Sequence, residues 1–244
     1  MENCKMILVI TFLLGLFFAA GAAAARLSDN TRKIEGISIS VAAGAMSALA
    51  AADIIPEILH EMSGTGLIKA VLFTAAGIVF LKLLDRFVPE HHGDEESPGA
   101  MIHIGIISAL AIMLHNIIEG MAVYELGADS LRQGIIFAIG VGLHNIPMGM
   151  LVYSTLKDET RVKKYTVLFA VMISTFAGGL VMAALGSCMS HTLIDLLTCL
   201  TLGMIIYIIS SELVPYMAAH RNYRVYAAGI AVGAAIVAVS LLFE

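Results

Sequence analysis

Two short polar clusters lie inside otherwise apolar stretches, HNIIEGMAV at 115–123 and HNIPMGMLV at 144–152. Residues four apart on a helix project from one face, so His115 and Glu119 form a chelating edge. His144 and Met148 keep the same spacing, and Asn116 and Asn145 add amide oxygens about 100° round each helix. Imidazole with carboxylate suits zinc, ferrous iron or manganese, whereas calcium wants more oxygens. A carboxylate at the centre of a membrane helix costs about 2.5 to 3.5 kcal/mol on insertion scales. A buried Glu119 therefore needs a cation or a proton as partner. A lone buried histidine reads as a hydrogen-bonded packing residue and Met148 alone as core filler. The repetition of the motif turns both histidines toward a metal.

The chain that must position these groups has 244 residues, 59 % of them hydrophobic and 14 % charged, with a mean hydropathy of +0.91. That composition excludes a soluble domain and predicts an all-α polytopic membrane protein. Apolar runs long enough to cross about 30 Å of hydrocarbon fall near 6–25, 36–59, 66–88, 100–124, 131–156, 165–187, 192–217 and 224–243. Eight spanning helices in one domain, 1–244, are expected, with a solvated loop, 89–99, after the third. The net charge of −5 carries no sign of nucleic-acid binding. The partners expected are membrane lipid and metal ions, the metal as cargo with no resident cofactor.

Basic residues are retained on the cytoplasmic side of short loops. Eleven of the fourteen lie after odd-numbered spans: Arg26, Arg32, Lys33, Lys82, Arg86, Lys157, Arg161, Lys163, Lys164, Arg221 and Arg224. Only Lys5, Lys69 and Arg132 lie on the other side. Both termini are therefore expected outside a cell membrane. The first span has a rival reading as a cleaved signal peptide, since Lys5 precedes an apolar run ending in AAGAAAA. Cleavage would strand Arg26, Arg32 and Lys33 on the wrong face, which argues against it. Cys188 and Cys199 could bridge the turn between the sixth and seventh spans, but unpaired packing is the expectation for all three cysteines.

The second span repeats in the seventh: Gly44, Asp53 and Pro56 match Gly203, Glu212 and Pro215. The charge pattern makes each matched pair of helices antiparallel. Opposed repeats with polar residues on helices broken by Gly or Pro point to a secondary transporter. Asp53, Asp85 and Glu212 lie toward helix ends, where interfacial water also accommodates a carboxylate. His91 and His92 sit beside Glu90 and Asp94, either as a metal-collecting patch or as plain loop polarity. His60 and Glu61 have the same two readings, and His191 and His220 read as loop residues. His103, twelve residues before His115, faces about 120° away and is expected outside the ligand set, on the way out.

These residues resemble those of the ZIP family of divalent metal transporters over essentially the whole chain. HN at 115–116 with EG at 119–120 resembles the family's HNxPEG signature, and HNIP at 144–147 its fifth-span partner. AAGAMSALAAADIIPEIL, LDRFVPEHH and SELVP resemble the second helix, the end of the third with its histidine loop, and the end of the seventh. The resemblance implies a 3 + 2 + 3 inverted-repeat arrangement, a homodimer, and movement of zinc or related cations into the cytoplasm. It places His115, Asn116, Glu119, His144 and Asn145 on the transport site, Asp85 and Glu212 at the inner exit, and Asp53 near the outer mouth. Two departures stand out: Met148 replaces a usual glutamate, and TFAGGLVMAALG in the sixth span lacks another. One well-formed metal site with thioether character is the resulting expectation, open to softer ions such as cadmium. An intramembrane metallohydrolase would need three firm ligands and a general base, and no HExxH is present. A metal-gated sensor is the other alternative, favoured if these departures abolish transport.

Overall fold

A computed structural model describes residues 2–27, 31–88, 98–186 and 190–243. Long apolar runs without a mid-membrane water supply must satisfy their backbone internally, and among the described residues all regular structure is helical. The helices are α1 (Glu2–Arg26), α2 (Thr31–Leu49), α3 (Ile55–Glu61), α4 (Thr65–Asp85), α5 (Pro98–Asp129), α6 (Leu131–Thr155), α7 (Arg161–Leu185), α8 (His191–Ile208), α9 (Val214–His220) and α10 (Tyr223–Ser240). Among the described residues, eight stretches are long and apolar enough to cross a membrane, α2 with α3 and α8 with α9 each making one. The expected fourth span, 100–124, runs on to Asp129, and only Ser130 separates it from α6. The Ser130 hydroxyl accepts a hydrogen bond from the Gln133 N–H and so starts α6. His91, His92, Glu90, Asp94 and Cys188 lie outside the described residues.

The matched segments of the second and seventh spans share one local geometry. Each leaves α-helical form for a π-helical turn, Ala50–Ile54 in one and Ile209–Leu213 in the other. Each turn holds the acidic residue, Asp53 or Glu212, and a proline follows at the head of the next helix, Pro56 or Pro215. Proline lacks the N–H that a regular helix would use there, and widened turns of this kind gather at functional positions. The π turns were not anticipated from the sequence.

Packing divides the helices into two groups. In one, α1 lies along α6 and α7, while α5 lies along α7 and α6. In the other, α2 lies along α10 and α4 along α8. The groups meet where α6 touches α2 and α10, and where α5 touches α8 and α4. Glycines set the closest approaches inside the first group. A Cβ at Gly120 of α5 would strike the Thr175 carbonyl oxygen of α7, and one at Gly178 of α7 would strike that of Ile117. Gly21 and Gly149 pair α1 with α6 in the same reciprocal way, against Ile146 and Phe18. Such backbone proximity is how small residues bind membrane helices together. α1 contributes Ile7, Leu14 and Phe18 to the buried interior, whereas α4 turns Ile68, Val71 and Leu72 outward, as a lipid-facing helix does.

Candidate metal centre

The short connection at Ser130 makes α5 and α6 an antiparallel hairpin, which brings the two sequence clusters together at mid-helix. His144 Nε2 lies 2.7 Å from Glu119 Oε1 in a hydrogen bond, and His115 Nε2 lies 2.9 Å from the same oxygen. The His115 ring nitrogen does not aim along that line, so it forms no directed hydrogen bond there. One carboxylate oxygen thus serves two imidazoles whose ring centres are 6.3 Å apart. The other, Oε2, is buried and has no hydrogen-bond partner. His115 is 5 % exposed and His144 1 %. The ligand atoms of His115, Glu119 and His144 all lie within 4.8 Å of one another.

A cavity of about 80 Å³ leads away from this triad. Its walls include His115, Glu119 and His144, with Asp53 and Glu57 from the second span and Thr198 and Thr201 from α8. Every lining residue on α5 lies at or beyond His115 toward Asp129, and every one on α6 at or before His144 toward Leu131. The cavity therefore extends toward one end of the molecule only, the end carrying the α5–α6 turn. Glu57, exposed at that end, was missed by the sequence reading, although it follows Asp53 by one helical turn.

Asn116, Asn145 and Met148 are each 1 % exposed but do not line the cavity. The amide oxygens of both asparagines are buried without a hydrogen-bond partner, and Met148 belongs to the apolar core. Pro147 lies inside α6, one turn past Leu143, whose carbonyl it leaves without the usual helical donor.

A second cluster forms at the other end of the bundle. Asp85 at the end of α4, His103 near the start of α5 and Glu212 in the second π turn hold ligand atoms within 4.8 Å of one another. His103 Nε2 is 2.6 Å from Asp85 Oδ1, and the Tyr207 hydroxyl donates to Asp85 Oδ2 at 2.8 Å. Twelve residues of helix place His103 about 18 Å along α5 from His115. It is absent from the first site, as its helical phase requires, but it stands among potential ligands of its own. His60 instead pairs with Glu61 at 3.0 Å on the exposed surface, and His220 stacks on Tyr216 at 4.1 Å at the end of α9. Cys199 is buried and free.

Eight apolar helices with paired histidine motifs and a buried carboxylate define an integral, multi-pass membrane protein built to handle a cation. The profile of the family described as ZIP zinc transporter matches residues 88–241, and the chain belongs to that family. It is thus a transporter and not an enzyme. It is 30 % identical to the zinc transporter ZupT of Chlorobium luteolum, with 99 % of each chain covered. It is also 27 % identical to the ZupT of Clostridium perfringens, over 99 % of this chain and 97 % of that one. The zinc transporter ZTP29 of Arabidopsis thaliana is 28 % identical over 45 % of this chain and 46 % of its own.

Proposed function

We propose that this protein is a zinc permease that carries the ion into the cytoplasm through a site made by His115, Glu119 and His144. The observation that carries this reading is the single Glu119 oxygen approached by both imidazoles at 2.7 and 2.9 Å. Tetrahedral zinc with bonds of about 2.0 Å sets neighbouring ligand atoms about 3.3 Å apart. The three groups need spread by only about half an ångström to take the ion in place of the proton shared by His144 and Glu119. Asn116 and Asn145 stand beside the site with unpartnered oxygens, available to complete or steer coordination as the helices adjust. The outer orientation of both termini follows from the basic residues after odd spans, and it makes the cavity end the outer one.

The sequence of events then follows from the placement of charge. Asp53 and Glu57 raise the local cation concentration at the outer mouth. The ion sheds water as His115, Glu119 and His144 replace its shell. The group formed by α1, α5, α6 and α7 moves against the other four spans, which closes the outer cavity and exposes the triad inward. Asp85, His103 and Glu212 receive the ion on the inner side. A site with one carboxylate holds the cation less tightly than one with several, which favours release. Iron, manganese and cadmium fit the same donor set.

Sealed liposomes containing the purified protein test this directly. Zinc uptake should be saturable in the wild type and lost in His115→Ala and Glu119→Ala. Equal uptake in all three would overturn the permease reading.

A further inference from the structure

Away from both clusters, α1, α6 and α7 enclose a second groove of about 380 Å³. Its floor is apolar, formed by Phe18, Ala22, Leu168 and Met172, and Phe169 stands at its open side, 57 % exposed. At one end the chemistry changes abruptly to Arg26, Tyr153 and Tyr165. The Lys164 ammonium lies behind that end, 5.5 Å from the Tyr153 ring centre and 6.0 Å from that of Tyr165. It also donates to the Lys157 carbonyl at 2.9 Å, which closes the end of α6. Arg26 and Lys164 form no ion pair among the described residues, and Arg26 is exposed at the groove mouth.

We propose that this groove is a binding site for an anionic phospholipid, with an acyl chain along the apolar floor and the phosphate held by Arg26. Three features select this occupant. The groove runs along membrane-spanning helices from an apolar interior to the polar boundary, which matches a lipid from tail to head. Its polar end carries positive charge with no ion-pair partner among the described residues, and basic pockets between spanning helices bind anionic head groups. Tyr153 and Tyr165 sit where amphipathic rings favour the head-group level. A guanidinium offers a phosphate two parallel hydrogen bonds, whereas Lys164, buried behind the tyrosines with one donor held by the Lys157 carbonyl, contributes mainly its field. A zwitterionic lipid would gain the floor but lose much of the advantage at the mouth. The groove lies wholly within the α1, α5, α6, α7 group, so the lipid would ride with that group. The inference does not depend on which ion is carried.

Native mass spectrometry of the full-length protein in mild detergent, offered equal phosphatidylglycerol and phosphatidylcholine of matched chains, tests the site. Wild type should retain phosphatidylglycerol over phosphatidylcholine by about fivefold. Arg26→Gln should bring the ratio near one, and Arg26→Lys should restore most of the preference. Lys163→Gln, at the same end but outside the groove, should leave it unchanged. Phe169→Ala should weaken retention of both lipids while keeping the preference. No preference in wild type would overturn the proposal, as would a preference that survives Arg26→Gln or falls equally in Lys163→Gln.

Discussion

The two histidine–carboxylate clusters use similar chemistry but are held in different ways. His115, Glu119 and His144 come from α5 and α6 alone, one hairpin inside one packing group. Asp85, His103 and Glu212 come from α4, α5 and the π turn before α9, so the second cluster bridges both groups. Relative sliding of the groups would carry the first cluster intact and would make or break the second. On the proposed mechanism, similar side chains would serve as a carrier in one place and as a contact between moving parts in the other.

Glu119→Gln should have the largest effect, because it keeps the shape but removes the charge shared by two imidazoles. Zinc uptake is expected to fall at least about 100-fold, the upper range for losing even an outer-shell metal partner. A fall of the same size in Asp85→Asn would erase the distinction between the clusters. Gly120→Val should come next, by forcing α5 from the Thr175 carbonyl of α7. A loss of about 3 kcal/mol, the upper range for overpacking, should show as a lower melting temperature together with poor uptake. Retained stability would mean that the first cluster does not need its rigid frame.

Asp85→Asn and His103→Ala should each lower maximal zinc uptake about tenfold while leaving half-saturation nearly unchanged, since the cavity at the α5–α6 turn is untouched. A changed half-saturation with normal maximal uptake would place Asp85 and His103 at intake instead. Asp53→Asn should act the opposite way, raising the half-saturating zinc concentration about threefold at low salt and less at high salt. The smallest effect belongs to Met148→Leu, a volume-conserving change. If its thioether reaches the ion, the cadmium-to-zinc uptake ratio should drop about twofold. An unchanged ratio assigns Met148 to packing alone.

The coming together of His115, Glu119 and His144 was legible in the sequence because they sit at helical spacing within two similar motifs joined by a short turn. Eight spanning helices were legible from apolar length alone. The second cluster was legible only in part: Asp85, Glu212 and His103 were each expected toward the inner exit, but they come from separate helices with no shared motif, and helical phase separated His103 from His115 without revealing that it would meet the other two. The bulged turns escaped for a related reason: Asp53 and Glu212 mark the right places, but nothing in local composition signals a widened ring. Asn116, Asn145 and Met148 fit the motif yet do not line the cavity, a matter of side-chain direction that spacing does not fix.

Those bulged turns bear on how the protein can change over time. Each holds one residue more than a regular coil would need, so deleting a residue there lets the coil close without breaking the span. The cost is local, since the extra residue is absorbed within the turn and the helices on either side would keep nearly their positions. A shortened second span would therefore insert into lipid as before, and only residues within the turn, Asp53 among them, would change direction relative to the cavity. Loss of capture without loss of folding is the expected signature of such a deletion.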